Sequence, residues 1–216
     1  MVQSKILKKQ KSVKHFFLNR YEGKTGQFRK LIEMSFSCQQ VHNNKIAFIG
    51  KKTYYSGVDG LITDKKAILT LRTADCLPIF IYCEDKGVIA ALHAGWKGLM
   101  KGIIIESFKK LSLFRIKYNT VKVAIGPHIG VCCYEVGKDL IDKFSKKLAY
   151  GDFFYKEKED KYYLDLSKVA ISQLAEIGIT KSKIDDVNIC TSCSKSFFSY
   201  RRDHKNERNY SLLMIN

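Results

Sequence analysis

The feature that most constrains the fold is a pair of apolar runs joined by a short charged turn. The runs are LPIFIYC, residues 77–83, and VIAALHA, residues 88–94, and the turn between them is EDKG. A glycine-containing turn between two apolar runs of strand length predicts an antiparallel hairpin. With the turn centred between Glu84 and Asp85, we expect Cys76 opposite His93. The sequence therefore predicts a thiol and an imidazole close together across a sheet.

The rest of the chain mixes strand-like and helix-like segments. Short β-branched or apolar runs predict strands at residues 45–50, 67–73, 121–126, 186–190 and 210–215. Apolar residues at helical spacing predict helices within residues 99–114, 137–148 and 165–178. In the last of these, Asp165 or Ser167 can cap the start and Gly178 can end the helix. The mixture predicts an α/β or α+β fold, and because no Ser-, Gly- or Pro-rich linker is present, we expect residues 1–216 to form a single domain.

Apolar content and cysteine usage indicate the compartment. The first twenty residues are basic but lack the continuous apolar segment of a secretory signal, and no apolar run is long enough to span a bilayer. We expect a cytoplasmic protein without membrane association. The 7 cysteines are an odd number in a chain of this kind, which favours reduced thiols, metal ligation or catalysis over a disulfide framework. Cys38 and Cys83 are predicted to be buried as small apolar side chains.

The charge balance raises the question of nucleic-acid binding. The formal net charge is +17, and lysines, scattered in pairs, far outnumber arginines. Specific readout of bases and bidentate phosphate contacts favour arginine, whereas dispersed lysines suit a solvated surface. We therefore expect no specific nucleic-acid function. A basic RNA-binding module stays as a non-enzymatic alternative, and it predicts strongly salt-dependent binding that does not need Cys76.

A third ligand would turn the predicted Cys76–His93 pair into a metal site. The best candidate is His42 in CQQVHNNKI, directly before a predicted strand. Two imidazoles and a thiolate suit zinc, and three protein ligands leave one position open, as in a catalytic zinc site. The same donors also suit copper. From spacing alone, three unrelated residues stay an equal alternative.

Six ordered motifs make the chain similar to a known family. They are QVH, RTADCLPIF, VIAALHAGWKG, GPHIGVCCYEVG, YYLDL and FFSYRRD, spread over residues 40–203. They resemble the YfiH/YlmD-type family, which has been called multicopper polyphenol oxidase and also purine nucleoside phosphorylase with adenosine deaminase activity. The resemblance implies mixed sheets sandwiched by helices, a zinc enzyme acting on purine nucleosides and phosphate, and His42, Cys76 and His93 at the metal positions.

Further candidates surround these three residues. Asp75, next to the ligand cysteine, is a candidate to orient a ligand or carry a proton, with a cap or turn acid as the alternative. Lys97 follows glycines that open a helix, where backbone N–H groups and its charge favour a phosphate. Arg72, Arg201 and Arg202 suit carboxylate or phosphate contacts, although a buried salt bridge with Asp75 or Asp203 is at least an equal alternative. By the resemblance, the loop that contains Cys133 walls the pocket.

Four cysteines raise the question of a second zinc site. Cys132 and Cys133 are adjacent, while Cys190 and Cys193 form a C-x-x-C pair. Adjacent cysteines rarely converge on one tetrahedral ion, so thiols with a structural role are the favoured interpretation.

The sequence leaves several functions open. The favoured one is a zinc-dependent purine nucleoside enzyme that carries out phosphorolysis, with possible adenosine deaminase and methylthioadenosine phosphorylase activity. A copper-dependent, laccase-like polyphenol oxidase is the first alternative. A full multicopper site needs about ten imidazoles, however, and this chain has only 5 histidines. A cysteine hydrolase, the second alternative, would use Cys76 as a nucleophile activated by His93, and the resemblance implies editing of peptidoglycan precursors as its reaction. The sequence does not predict an oligomeric state.

Overall fold

A computed structural model describes residues 1–147 and 153–215 of the chain. The strands in chain order are β1 (Val13–Phe17), β2 (Ser37–Cys38), β3 (Ile46–Phe48), β4 (Tyr54–Tyr55), β5 (Gly60–Thr63), β6 (Ile68–Thr73), β7 (Leu77–Cys83), β8 (Val88–Ala94), β9 (Val121–Ile125), β10 (Glu135–Val136), β11 (Tyr155–Lys158), β12 (Lys161–Leu164), β13 (Ile184–Asp186) and β14 (Asn209–Ile215). The α-helices are α1 (Lys5–Lys8), α2 (Gly26–Glu33), α3 (Trp96–Met100), α4 (Ile103–Leu111), α5 (Lys138–Ser145), α6 (Leu166–Glu176) and α7 (Tyr200–Asp203). Short 3₁₀ segments lie at Glu22–Lys24, Ser112–Phe114, Tyr118–Thr120 and Lys181–Lys183.

The centre of the fold is a mixed sheet with strand order β13-β9-β7-β8-β5-β3. The hairpin predicted from the sequence supplies its two inner strands, and β7 and β8 begin and end where the sequence predicted. Every residue of both strands is buried. Their apolar runs are continuous rather than alternating because both faces of the sheet are covered.

Helices cover one face of the central sheet. Ile79 of β7 and Leu92 of β8 pack in one core with Ile104 and Phe108 of α4 and with Leu174 of α6. The helix α6 begins where the sequence predicted, because the side chain of the N-cap residue Asp165 accepts a hydrogen bond from the backbone N–H of Lys168.

A second sheet covers the opposite face. Its strand order is β1-β14-β6, and all its strands are antiparallel. Phe80, next to Ile79 on β7, points to this side because successive residues of a strand alternate between faces. Its ring stacks on Phe17 of β1, with the ring centroids 4.9 Å apart. Leu71 and Leu213 complete this second core. The predicted fold class, an α/β arrangement with mixed sheets, is confirmed.

Two smaller sheets extend the periphery. One has the order β10-β12-β11 and the other pairs β2 with β4. No helix within the described ranges is long and apolar enough to cross a membrane.

The hairpin register differs from the prediction by two residues. His93 lies opposite Pro78, and Leu77 lies opposite Ala94, so Cys76 precedes the paired part of β7. The reason is the turn: the last pair is Cys83 with Val88, and the backbone N–H of Lys86 donates to the carbonyl oxygen of Cys83. This closure moves the centre of the turn one residue towards the C-terminus.

Two predicted elements are placed differently in the structure. The helix expected within residues 99–114 is split into α3 and α4 at Gly102, whose φ of +77° is incompatible with a continuous helix. The strand expected at 186–190 lies at Ile184–Asp186 instead, and the backbone turns at Asn188, where φ is +51°. The helix expected within 137–148 is confirmed as Lys138–Ser145, and residue 148 lies outside the described residues.

Candidate metal centre

A buried carboxylate organises the loop that contains His42. Asp59 precedes β5 and is fully buried. Its two oxygens accept hydrogen bonds from three successive backbone N–H groups, those of Val41, His42 and Asn43, at 3.1, 2.8 and 2.8 Å. The φ of +59° at His42 curves the chain so that these N–H groups converge on one anion. The loop therefore wraps around Asp59 and fixes the backbone of His42.

The same carboxylate orients His93. This histidine lies near the end of β8 and is 3% exposed. Its Nδ1 lies 2.8 Å from Oδ1 of Asp59, which leaves Nε2 as the ring nitrogen available to a ligand. A carboxylate that holds the second nitrogen of an imidazole is the usual support of a histidine that binds a metal.

The backbone around Cys76 brings its sulfur to the two imidazoles. Asp75 adopts a φ of +89°, which turns the chain just before β7. A Cβ added to Gly95 would lie 2.8 Å from the Cys76 Sγ and 3.4 Å from the His42 Cδ2, so only glycine leaves room here. The potential ligand atoms of His42, Cys76 and His93 lie within 4.8 Å of one another. We call these three residues the mixed cluster.

The charges of the mixed cluster support one another. Burial opposes ionisation of Cys76, but the charges and hydrogen bonds of His93 and His42 outweigh it and lower the pKa of the thiol to about 6. Burial also opposes protonation of His93, whose pKa is nevertheless raised to about 9 by the charge of Cys76 and by the hydrogen bond that the ring donates to Asp59. The pKa of Asp59 is lowered below its usual value. Burial raises this pKa, but the hydrogen bonds from His93 and from the backbone N–H groups lower it by more. The thiolate, which is the form that binds metals, is therefore favoured.

The donor set fits a transition metal. Two imidazoles and one thiolate are borderline-soft ligands of the kind found in zinc and copper sites. The residues are already grouped, one imidazole is oriented by a carboxylate, and the glycine at position 95 keeps the sulfur accessible. Three protein ligands are typical of catalytic rather than structural zinc sites.

A cavity of about 310 Å³ opens beside the mixed cluster. Its other lining residues are Gln39, Gln40, Arg72, Ala74, Asn206 and Arg208. The Gln40 side chain accepts from the backbone N–H of Arg72 at 2.9 Å and donates to its carbonyl oxygen at 2.7 Å, so it fixes this part of β6. Among the described residues, the guanidinium of Arg72 has no hydrogen-bond or ion-pair partner. The salt-bridge alternative for Arg72 therefore finds no support.

Asp75, a candidate from the sequence to orient a ligand, is buried, but its hydrogen bonds go to residues outside the mixed cluster. Its Oδ1 accepts from the Thr191 hydroxyl at 2.7 Å, and its Oδ2 accepts from the backbone N–H of Arg201 at 2.6 Å. Its backbone carbonyl accepts from Ile129. Asp75 therefore joins three chain segments next to Cys76. The orienting carboxylate of the mixed cluster is Asp59.

The other predicted substrate residues lie outside the 310 Å³ cavity. Arg201 donates to the carbonyl oxygens of Cys133 and Glu135, and its guanidinium lies 5.2 Å from the centroid of the Tyr134 ring. It lines a second cavity of about 300 Å³ together with Trp96 and Tyr134. Lys97 is exposed, and its Nζ lies 5.5 Å from the centroid of the Trp96 ring.

Cys133 belongs to a different group of side chains. Its Sγ lies 3.3 Å from the Sγ of Cys193, and Cys132 lies 3.5 Å from the same sulfur. With Cys190, these residues form a second group whose sulfurs all lie within 4.8 Å of one another. We call Cys132, Cys133, Cys190 and Cys193 the cysteine cluster.

Three residues of the site were not predicted from the sequence, namely Asp59, Asn206 and Arg208. The signal for Asp59 was a single acid between Gly57 and Gly60, directly before an apolar strand. Asn206 and Arg208 lie in a polar loop before β14 and carry no local pattern that marks them.

Comparisons with known proteins show which family this chain belongs to. A family model described as multi-copper polyphenol oxidoreductase laccase matches residues 24–216. A purine nucleoside phosphorylase of Aquifex aeolicus is 34% identical over 200 residues, which cover 91% of each chain. One from Clostridium acetobutylicum is 39% identical over 152 residues, which cover 68% of this chain and 62% of that protein, less than two thirds of its length.

The same relationship is visible in three dimensions. The crystal structure of YlmD from Geobacillus stearothermophilus superposes with a TM-score of 0.80 at 32% identity, covering 86% of this chain and 74% of that one. The similarity suggested by the six sequence motifs is thus confirmed. The chain belongs to the multi-copper polyphenol oxidoreductase laccase family, which includes the YfiH- and YlmD-type proteins.

Proposed function

We propose that this chain is a zinc-dependent purine nucleoside phosphorylase. The observation that carries the proposal is the position of the mixed cluster at a cavity that also contains Arg72 and Arg208. A metal-binding group and two cations around one cavity suit a reaction between a nucleoside and a phosphate ion. The names of the Aquifex and Clostridium relatives support the same reaction.

In this proposal His42, Cys76 and His93 hold the zinc ion. Asp59 keeps the Nδ1 of His93 engaged and so presents Nε2. The thiolate of Cys76 is favoured before any ion binds, because its pKa is lowered to about 6 by the two histidines against the effect of burial. When bound, zinc would supply Lewis-acid chemistry at this cavity.

The arginines are proposed to bind phosphate. A guanidinium presents a planar set of N–H donors that matches two phosphate oxygens. Arg72 is suited to this task because its backbone is fixed by Gln40 while its guanidinium has no partner among the described residues. Arg208 supplies a second positive charge on the cavity wall.

The bound phosphate would then react at the sugar. One phosphate oxygen forms a bond to the anomeric carbon of the ribose as the bond from that carbon to the purine nitrogen breaks. The electron pair of the broken bond goes to the purine, which takes up the proton brought by the phosphate ion. The products are ribose 1-phosphate and the free base, and the role of the arginines is to position the phosphate for this displacement.

The amide side chains of Gln39 and Asn206 are candidates to recognise the nucleoside. Both line the cavity. The Asn206 amide offers a donor and an acceptor, and Gln39, whose Oε1 accepts from the backbone N–H of Gly57 at 3.1 Å, offers its amide N–H donors. These groups match the edges of a purine or the hydroxyl groups of a ribose. A cavity of about 310 Å³ also falls within the range of small-molecule sites.

Features of the cavity favour this reaction over the two enzymatic alternatives. A phenol is largely apolar and has no need of the two arginines that face the cavity. A cysteine hydrolase needs a free thiolate, whereas Cys76 is grouped with two imidazoles in metal-binding arrangement.

Two matched histidine variants test the proposal. His42 and His204 are both exposed and both adopt left-handed backbone conformations, with φ of 59° and 51°. Asparagine tolerates this conformation, so His42→Asn and His204→Asn place equal demands on the backbone. Purified proteins would be assayed for metal content and, by liquid chromatography, for conversion of adenosine, inosine and guanosine with and without phosphate.

The proposal predicts phosphate-dependent release of purine base by the wild type and by His204→Asn, with loss of both activity and one metal ion in His42→Asn. Ammonia release from adenosine in the same assay would identify deamination. Base release that needs no phosphate, or activity that survives in His42→Asn, would contradict the proposal. Oxidation of phenols by a copper-loaded protein that leaves nucleosides intact would do the same.

A further inference from the structure

The cysteine cluster combines residues from two separate loops. Cys132 and Cys133 lie in a turn after β9, and Cys190 and Cys193 lie in a turn after β13. The four sulfurs lie within 4.8 Å of one another, and Cys193 Sγ lies 3.3 Å from Cys133 Sγ and 3.5 Å from Cys132 Sγ. A tetrahedral zinc ion with Zn–S bonds of about 2.3 Å places its sulfurs about 3.8 Å apart. Changes of at most about 1 Å in these separations would therefore allow all four sulfurs to bind one ion.

The backbone explains why adjacent cysteines converge here, contrary to the expectation from sequence. The N–H groups of Cys133 and Tyr134 both donate to the carbonyl oxygen of Gly130, at 3.0 and 3.1 Å. The tight turn that results brings the sulfurs of Cys132 and Cys133 to the same partner, Cys193.

The two loops are joined to each other next to the sulfurs. His128 and Cys190 form an isolated parallel bridge, in which the N–H of Thr191 donates to the carbonyl oxygen of His128 at 2.9 Å. The N–H of Gly130 donates to the Sγ of Cys190 at 3.3 Å. Backbone N–H groups that donate to sulfur stabilise thiolates and orient them towards a metal.

Gly130 also leaves space for the sulfurs. A Cβ added at this position would lie 3.2 Å from the Sγ of Cys132 and 3.3 Å from the Cβ of Cys190. A larger residue would press against the centre of the cluster. The loop is therefore shaped around the four sulfur atoms.

The guanidinium of Arg202 donates hydrogen bonds to the backbone of the C-x-x-C turn. The Nη1 of Arg202 donates to the carbonyl oxygens of Thr191, Ser192 and Ser194 at 2.9, 3.0 and 3.1 Å. The Arg202 guanidinium is itself fixed by Asp203. Its positive charge lies close to the sulfurs and offsets part of the negative charge that four thiolates around one divalent ion carry.

We propose that Cys132, Cys133, Cys190 and Cys193 form a second zinc site with a structural role. Four sulfur ligands leave no open position, which is typical of zinc ions that stabilise a fold rather than take part in a reaction. This ion fastens the loop after β13 to the loop after β9. Thr191, in the loop after β13, donates a hydrogen bond to Asp75, which directly precedes Cys76. The second site therefore supports the position of Cys76 in the mixed cluster.

Variants of single residues in the two loops test this site. Cys132 and Cys193 are exposed, so Cys132→Ser and Cys193→Ser remove a ligand without opening the apolar core. Ser192→Ala lies in the same turn, changes a side chain outside the cluster and serves as the control. The full-length proteins would be purified under reducing conditions, and bound zinc would be counted by native mass spectrometry and by elemental analysis.

The proposal predicts two zinc ions per wild-type chain, two in Ser192→Ala, and one in each cysteine variant. Metal-free wild type reloaded with cobalt gives a second, independent readout, because thiolate-to-cobalt absorption grows with the number of cobalt–sulfur bonds. Cys193→Ser should lose most of this absorption, whereas Cys76→Ala, which removes a single sulfur, should lose a small part. A wild type that binds at most one zinc ion, lost in His42→Asn, would overturn the proposal. So would a wild-type mass two hydrogens lower that identifies a disulfide between these cysteines.

Discussion

The mixed cluster and the cysteine cluster differ in the scaffold that carries them. The mixed cluster lies where strands of the central sheet begin and end, and a fully buried carboxylate organises two of its residues. The cysteine cluster lies on two turns, and its residues are exposed or half-buried. Three mixed donors beside a cavity are suited to chemistry, and four sulfurs that leave no open coordination position are suited to fastening loops. The two clusters therefore differ in scaffold and in ligand number: three donors at the central sheet leave a coordination position free, and four sulfurs on two loops leave none.

Removal of Cys76 is expected to have the largest effect. Cys76→Ala should lose one zinc ion and reduce phosphorolysis by about 1,000-fold or more, because the metal contributes several kcal/mol to the reaction. The zinc ion of the cysteine cluster should stay. Native mass spectrometry and the chromatographic assay on the same preparation measure both effects. Loss of both ions in this variant would show that the two clusters are not independent.

Asp59→Asn should weaken the mixed cluster selectively. The substitution keeps the shape of the side chain but removes the charge that orients His93 and that accepts three backbone N–H groups. Removal of such a supporting carboxylate typically lowers metal affinity about 10- to 100-fold. Competition with a chromogenic chelator would measure the affinity at each site.

Asp64→Asn is the matched control for Asp59→Asn, since Asp64 directly follows β5 and is exposed. Its zinc affinities should equal those of the wild type. An unchanged affinity in Asp59→Asn would show that the carboxylate serves only to hold the loop of His42.

Arg72→Gln should affect phosphate use and leave both metal ions in place. A hydrogen bond to a charged group contributes about 1.5–3 kcal/mol, so the KM for phosphate should rise by about 10- to 100-fold. The kcat at saturating phosphate should change less. Arg29→Gln, at an exposed position of α2, should leave both kinetic constants unchanged. A KM for phosphate that stays constant in Arg72→Gln would remove Arg72 from the proposed phosphate site.

The smallest effect at neutral pH is expected for His15, which lies outside both clusters. Its Nε2 accepts from the backbone N–H of Ser4 at 2.7 Å. Burial lowers the pKa of His15 to about 4, although Asp185 acts in the opposite direction. The pKa of His15 is therefore lower in the folded than in the unfolded protein, so its contribution to the free energy of unfolding is fully present above about pH 6.5. This contribution, on the order of 3 kcal/mol, is lost as the pH falls towards 4.

Urea unfolding of wild type and His15→Gln between about pH 7 and pH 4.5 measures this effect. The variant should show a flatter pH dependence because it has no group to protonate. Equal slopes for both proteins would assign the acid sensitivity to other groups, the two metal clusters among them.

Much of the central sheet could be predicted from sequence because its signal is local. Continuous apolar runs and the glycine at position 87, where φ is +63°, define β7 and β8 with correct ends. The register was wrong because it depends on how the turn closes, which the apolar pattern does not determine. β1 was missed because its residues VKHFF show only a short alternation whose partner, β14, lies at the other end of the chain.

The candidate site was predicted to a similar extent. Cys76 directly precedes the hairpin strand β7 and His93 lies on its partner β8, so the proximity of the two residues could be predicted from the hairpin. Asp59 was not, because a lone acid before a strand gives no hint that three N–H groups converge on it. The cysteine cluster depends on a turn at Gly130 and on a bridge between loops 60 residues apart, and neither is visible in local spacing.

The catalytic role of the mixed cluster is tested most directly by measuring the rate of phosphate-dependent inosine cleavage as a function of zinc content. Metal-stripped Cys193→Ser protein, which retains only the mixed cluster, would be refilled with measured amounts of zinc. If zinc at the mixed cluster is catalytic, the rate should rise in proportion to bound zinc from near zero in the stripped protein and become constant at one ion per chain. Full activity in the stripped protein, or a rate independent of zinc, would contradict the assignment of the mixed cluster as the catalytic metal centre.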